Sequence, residues 1–118
     1  MIRVLVVDDS MAFLAAATEV VLAADGFELA GVAQSGEEGL ELARRSRPDL
    51  ALIDLNMPGI DGDETAARMA TESPETATVL MTATPDPTGR SNGLFDKRGL
   101  SPTALAALWE QARALSAR

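Results

Sequence analysis

Residues 2–10 read IRVLVVDDS, a short β-branched run that breaks off at two adjacent aspartates and a serine. An unbroken apolar run of this kind predicts a strand buried on both faces over Ile2 to Val7. Ser10 then reads as the N-cap of a helix reaching about Ala24, with Phe13, Leu14, Ala17, Val20 and Val21 on one face. Asp25-Gly26 stops that helix, and Phe27 to Ala33 is a second strand. Ser35 with Glu38 forms a capping box that opens a helix from about Gly36 to Ser46. The same alternation continues: a buried strand at Leu50 to Ile53 ending at Asp54, a Pro-Gly loop, and a helix from about Asp63 to Thr71. A fourth strand spans Thr78 to Met81 and ends at Thr82, and a weak fifth spans Gly93 to Asp96 and ends at Lys97. Ser101-Pro102 places a cap and a first-turn proline before a last helix with Leu105, Leu108, Trp109, Ala112 and Leu115 at helical spacing.

Strand and helix alternate throughout, which predicts an α/β domain: an open, doubly wound parallel sheet with helices on both faces. At 118 residues the chain is one domain, residues 1–118, and long enough to bury its own core. It has no cysteine and no histidine, which excludes disulfide scaffolds, thiol nucleophiles, zinc fingers and imidazole bases. The formal charge of −8 argues against direct nucleic-acid binding and against a polybasic membrane surface. No stretch approaches the ~18 apolar residues of a membrane span, and the first apolar run is too short for a signal peptide. The expected location is the cytoplasm. Of the ten basic residues nine are arginine, so Lys97 stands alone.

In open parallel sheets the functional crevice lies outside the carboxyl ends of the strands. Those ends carry Asp8, Asp9, Asp54, Thr82 and Lys97. Three carboxylates at one edge raise each other's pKa unless a cation is present, and magnesium is the hard ion that suits one or two carboxylates plus phosphate oxygens. A carboxylate can attack phosphorus and form an acyl phosphate, given a fixed cation and a hydroxyl donor for the phosphoryl oxygens. Asp54, alone at the end of a central strand, is the best-placed nucleophile. Lys97 supplies the compact charge, and Thr82 the hydroxyl.

With those residues in place, the chain resembles the receiver domain of two-component response regulators, the CheY-like family. The matching pieces are VLVVDDS, DLALIDLNMPGIDG, VLMTA and DK, in order, over essentially the whole chain. The resemblance implies a flavodoxin-like five-stranded sheet of order 2-1-3-4-5. It implies a phosphoacceptor at Asp54 and Mg²⁺ held by Asp9, Asp54 and the main-chain carbonyl of Asn56, with Asp8 acting through water. It also implies Thr82 as the switch hydroxyl, Lys97 as the phosphate-contacting lysine, and a histidine kinase or histidine phosphotransfer protein as donor. Such a domain catalyses its own phosphorylation and dephosphorylation and signals to a downstream protein by contact.

Three features depart from the family. Leu94 stands where a switch aromatic is usual, and Phe95 is one place out of register, on the other face of its strand. Arg98 follows Lys97 in place of a proline, so a cis peptide is not expected there. Only 11 residues, Ala83 to Gly93, separate Thr82 from Leu94, and they hold two prolines and two glycines. A parallel crossover normally needs about a dozen or more, usually with a helix, so the family's fourth helix is expected to be missing or reduced to a turn. The loop itself then becomes the expected switch, with self-association or partner binding along the fifth-strand edge and the last helix. The alternative function is a receiver-like interaction module that works without phosphorylation. A nucleotide binder is disfavoured because neither G-x-G-x-x-G nor G-x-x-x-x-G-K-[ST] occurs.

Overall fold

Side chains along the two central strands divide strictly between two cores. In β1 (Ile2–Val7), Val4 and Val6 enter one cluster while Leu5 and Val7 enter the other. In β3 (Leu50–Asp54), Leu50 and Leu52 go with the first and Ala51 and Ile53 with the second. Both faces of these strands are buried, which is why they read as unbroken apolar runs. The computed structural model describes residues 1–83 and 94–116.

The first cluster lies beneath α1 (Met11–Ala23), through Leu14, Ala17 and Val21, and α4 (Pro102–Ser116), through Leu105, Leu108 and Ala112. The second lies beneath α2 (Gly36–Ser46), through Leu40 and Ala43, and α3 (Gly62–Glu72), through Met69. With β2 (Phe27–Ala33), β4 (Ala77–Thr82) and β5 (Leu94–Asp96), the sheet has five parallel strands in the order β2-β1-β3-β4-β5. The order implied by the resemblance and the doubly wound layering are both present. Leu115, at the spacing of the last helix's buried stripe, is instead 68 % exposed beyond Ala112. The expectation of a missing or shortened helix before β5, and of a switching loop there, falls on residues 84–93, outside the described residues.

Local chemistry sets the helix starts. Ser10 Oγ accepts the Phe13 N–H at 3.2 Å, Ser35 Oγ accepts the Glu38 N–H at 3.1 Å, and Ser101 Oγ accepts the Ala104 N–H at 3.0 Å. Helix α3 is capped by Asp61, whose Oδ1 accepts the Glu64 N–H at 2.9 Å. Along β1 the partner on β2 shifts from Leu29 to Gly31, leaving Ala30 as an extra residue on the edge strand.

Register brings the strand ends level. Val7 pairs with Ile53, so Asp8 emerges beside Asp54; Asp54 pairs with Met81, and Thr82 with Asp96. The residues after β1 and β5, and the last residues of β3 and β4, therefore form one row across four neighbouring strands.

Candidate functional site

Asp8 is fully buried at the end of β1. Its backbone N–H donates to the Ala33 carbonyl at 2.9 Å, and its Oδ1 accepts the Ser10 N–H at 2.8 Å. Ser10 thus fixes Asp8 on one side and caps α1 on the other. The second oxygen, Oδ2, lies 2.5 Å from Lys97 Nζ yet has no aligned hydrogen-bond donor. The contact is a buried ion pair, and a carboxylate oxygen has a further lone pair with which it can face a bound cation.

Asp54 is also buried, at the end of β3, and its Oδ1 lies 3.8 Å from the same ammonium. Burial raises its pKa above the usual aspartate value, and the Asp8 charge adds to this. Lys97 and the Asn56 backbone N–H pull the other way, and exposed Asp9 contributes a further small rise. One carboxylate oxygen from each of Asp8, Asp9 and Asp54 falls within 4.8 Å of the others.

The loop after β3 folds back over this edge. The Leu55 N–H donates to the Met81 carbonyl at 2.8 Å, and the Gly62 N–H to the Leu55 carbonyl at 2.9 Å. A Cβ on Gly62 would lie 2.3 Å from the Asp54 carbonyl oxygen, so only glycine allows α3 to start this close to the site. Thr82 is buried at the end of β4, one strand beyond Asp54. Lys97 follows β5 at the start of a 3₁₀ turn (Lys97–Gly99) that Asp96 caps: its Oδ1 accepts the Arg98 N–H at 2.9 Å, and its carboxylate pairs with the Arg98 guanidinium at 2.8 Å. Among the described residues no peptide bond is cis. Phe95 pairs with Met81 and packs on the first core cluster, while Leu94 pairs with Leu80, which packs on the second.

The edge therefore gathers the carboxylates of Asp8, Asp9 and Asp54, with Lys97 against Asp8 and Asp54 and with Thr82 on the adjoining strand. Grooves elsewhere, such as the one lined by Arg44, Arg47, Glu72, Ser73 and Glu75, have no part in this chemistry. The donor set is oxygen only, with a buried carboxylate oxygen lacking a hydrogen bond, and this suits a hard divalent cation such as Mg²⁺. Two contributors were not legible in the sequence. Gly62 carries no local signal of its close approach, and Phe13, read as a core residue, places its ring 4.4 Å from Lys97 Nζ.

A doubly wound parallel sheet of order β2-β1-β3-β4-β5, with an acidic edge and one lysine facing it, places the chain among the flavodoxin-like α/β domains. Residues 4–96 match the family model of the response regulator receiver domain, and the chain belongs to that family. It is 45 % identical over 84 residues to protein-glutamate methylesterase/protein-glutamine glutaminase 2 of Anaeromyxobacter dehalogenans, covering 71 % of this chain and 24 % of that protein. It is 42 % identical over 82 residues to the response regulator GacA of Pseudomonas viridiflava, covering 70 % of this chain and 38 % of the relative. The chain thus spans well under half the length of these curated relatives. The receiver domain of the putative response regulator NarL from Mycobacterium tuberculosis superposes with a TM-score of 0.80 at 28 % identity, covering 95 % of this chain and 96 % of that one. The response regulator domain of Thermotoga maritima CheB shares the fold, with a TM-score of 0.78 at 22 % identity and the same coverage. No helix among the described residues is long and apolar enough to cross a membrane.

Proposed function

We propose that this receiver domain accepts a phosphoryl group on Asp54 from a histidine kinase or a histidine phosphotransfer protein, and later hydrolyses it. The observation that carries the reading is the placing of a buried carboxylate, Asp54, between two further carboxylates and a single lysine ammonium 3.8 Å away. The chain has no histidine, so a phosphohistidine must come from the partner.

In the transfer an oxygen of Asp54 attacks phosphorus, the P–N bond to the donor imidazole breaks, and its electron pair returns to that nitrogen. The product is a mixed anhydride on Asp54. Lys97 faces one phosphoryl oxygen and the Thr82 hydroxyl donates to another, so charge developing on phosphorus meets fixed partners. Asp9, Asp54 and the Asn56 carbonyl, with Asp8 through water, would hold Mg²⁺, which supplies charge neutralisation of the phosphoryl oxygens. Hydrolysis sends a water to phosphorus, breaks the P–O bond to Asp54 and restores the carboxylate. The downstream partner reads the change by protein contact.

Incubation with acetyl phosphate, with and without Mg²⁺, tests this. A base-labile phosphoryl group is expected only with the ion, and Asp54→Asn is expected to lose it. Equal labelling of the Asp54→Asn protein overturns the assignment. No labelling of the parent by acetyl phosphate or by phosphohistidine donors leaves the phosphorylation-independent interaction module as the function.

A further inference from the structure

We propose that Phe13 is a positioning residue for Lys97, holding the ammonium at the acidic edge through the face of its ring. The inference rests on the reading of Lys97 as the cation that meets the phosphoryl group. Lys97 Nζ stands 4.4 Å from the Phe13 ring centroid, well inside the ~6 Å reach of a cation–π attraction. The lysine side chain is only 12 % exposed, so water screens this contact weakly.

The ring is placed by α1 and not by the lysine. Phe13 is the third residue of the helix, its N–H is held by the Ser10 cap, and its side chain packs against the first core cluster. The same Ser10 donates its backbone N–H to Asp8. One helix start therefore orients two of the groups that surround the ammonium, Asp8 and Phe13, while Asp54 approaches it from β3.

The chemistry of the ring matters here. A fourth carboxylate, at this position, would pair with Lys97 and compete with an arriving anion, and an aliphatic side chain would attract it very little. A ring quadrupole draws the ammonium in while carrying no net charge. Lys97 is thereby fixed near Asp54 with its charge still available, although its nearest anion is Asp8 at 2.5 Å. Pre-placing a cation before the anion arrives is how an electrostatic site avoids reorganisation during reaction.

Because Lys97 is the only lysine, protein carrying isotope-labelled lysine shows a single side-chain ammonium system. A proton above a ring face resonates upfield, so the Lys97 ε-methylene signals are expected upfield of an ordinary lysine. They are expected to return to the ordinary position in Phe13→Leu and to stay upfield in Phe13→Tyr. With acetyl phosphate and saturating Mg²⁺, Phe13→Leu is expected to be phosphorylated about fivefold more slowly, and Phe13→Tyr close to the parent rate. Mg²⁺ affinity, measured alongside, is expected to be the same in all three. Ordinary lysine shifts in the parent overturn the proposal, and so does a parent-like phosphorylation rate in Phe13→Leu. If the parent itself is not phosphorylated, the proposed function fails, and the lysine shifts alone still decide whether the ring holds Lys97.

Discussion

Asp54 is a carboxylate that folding makes harder to ionise, because it is buried beside Asp8. Its folded pKa lies above its unfolded value, so near and above the ordinary aspartate range the native state keeps a proton that the unfolded chain has released. By linkage, stability then falls as pH rises from the unfolded pKa through the raised folded one. At neutral pH the ionised side chain costs stability, and below the ordinary aspartate range it costs none. Asp54→Asn in metal-free buffer is therefore expected to melt a few degrees higher than the parent at pH 7, with the gap closing as pH falls towards 4. A gap that stays constant over that range, by calorimetry, removes this account. Lys97 gives a second prediction at the same scale. Arginine keeps the charge but replaces a compact ammonium with a wide planar fork, which does not fit between Asp8 at 2.5 Å and the Phe13 ring at 4.4 Å. Lys97→Arg is expected to slow phosphorylation by acetyl phosphate about tenfold, the size of one lost charge-assisted hydrogen bond. An unchanged rate means the position needs only positive charge.

Elements are held in place here by close backbone approaches as much as by side chains. Gly62 begins α3 so near β3 that a Cβ would stand 2.3 Å from the Asp54 carbonyl oxygen and 2.6 Å from the Leu55 Cα. Both are backbone atoms of the strand end and its loop, so neither moves without shifting the site. Gly62→Ala is expected to lose about 2 kcal/mol in urea unfolding and to displace the Asp54 loop. Gly31→Ala is the control, since its Cβ would meet only side-chain methyls of Leu42 and Leu5 at 3.5 to 3.9 Å, ordinary contact distances, and it is expected to be near neutral. Equal losses for the two would show that the close approach at Gly62 does not set the cost, since the lower unfolded-state entropy of alanine favours both variants alike. The elements themselves were largely legible. Ile2–Val7 and Phe27–Ala33 stand where their apolar runs predicted them, and the Ser35 cap marks the start of α2. Where reading fell short, tertiary contact decided. Asp61, Gly62 and Asp63 offer two acids either side of a glycine, and composition does not say which one caps α3. Ala77 joins β4 because it pairs with Leu50, and Phe13 meets Lys97 across 84 positions of sequence. The placing of Asp8, Asp9, Asp54, Thr82 and Lys97 along one edge was legible because each closes a strand or follows it within two residues, and parallel register then puts them in one row.

The whole molecule carries a formal charge of −8, and part of that charge is concentrated where three carboxylates meet within 4.8 Å. Two effects of added cations must then be told apart. Any salt screens the repulsion among exposed acids, over a Debye length of ~10 Å at 0.1 M, and raises stability without a specific site. An ion held by Asp9 and Asp54 acts differently, because it binds the native state and not the unfolded chain. At a hundred times its Kd it adds about 2.7 kcal/mol, whatever the remaining charge does. Mg²⁺ is therefore expected to raise the melting temperature well beyond NaCl at equal ionic strength. Asp9→Ala is expected to lose most of that excess, although the variant itself has one fewer repelling carboxylate and melts no lower than the parent in chelator. Asp9 is the right residue for this test because it is exposed, and its removal leaves the buried Asp8–Lys97 contact in place. Calorimetry of parent and variant, each in chelator, NaCl and MgCl₂, separates the two contributions. If the parent gains no more from MgCl₂ than from NaCl, the acidic edge acts only as part of the molecule's overall charge, and the metal assignment falls with it.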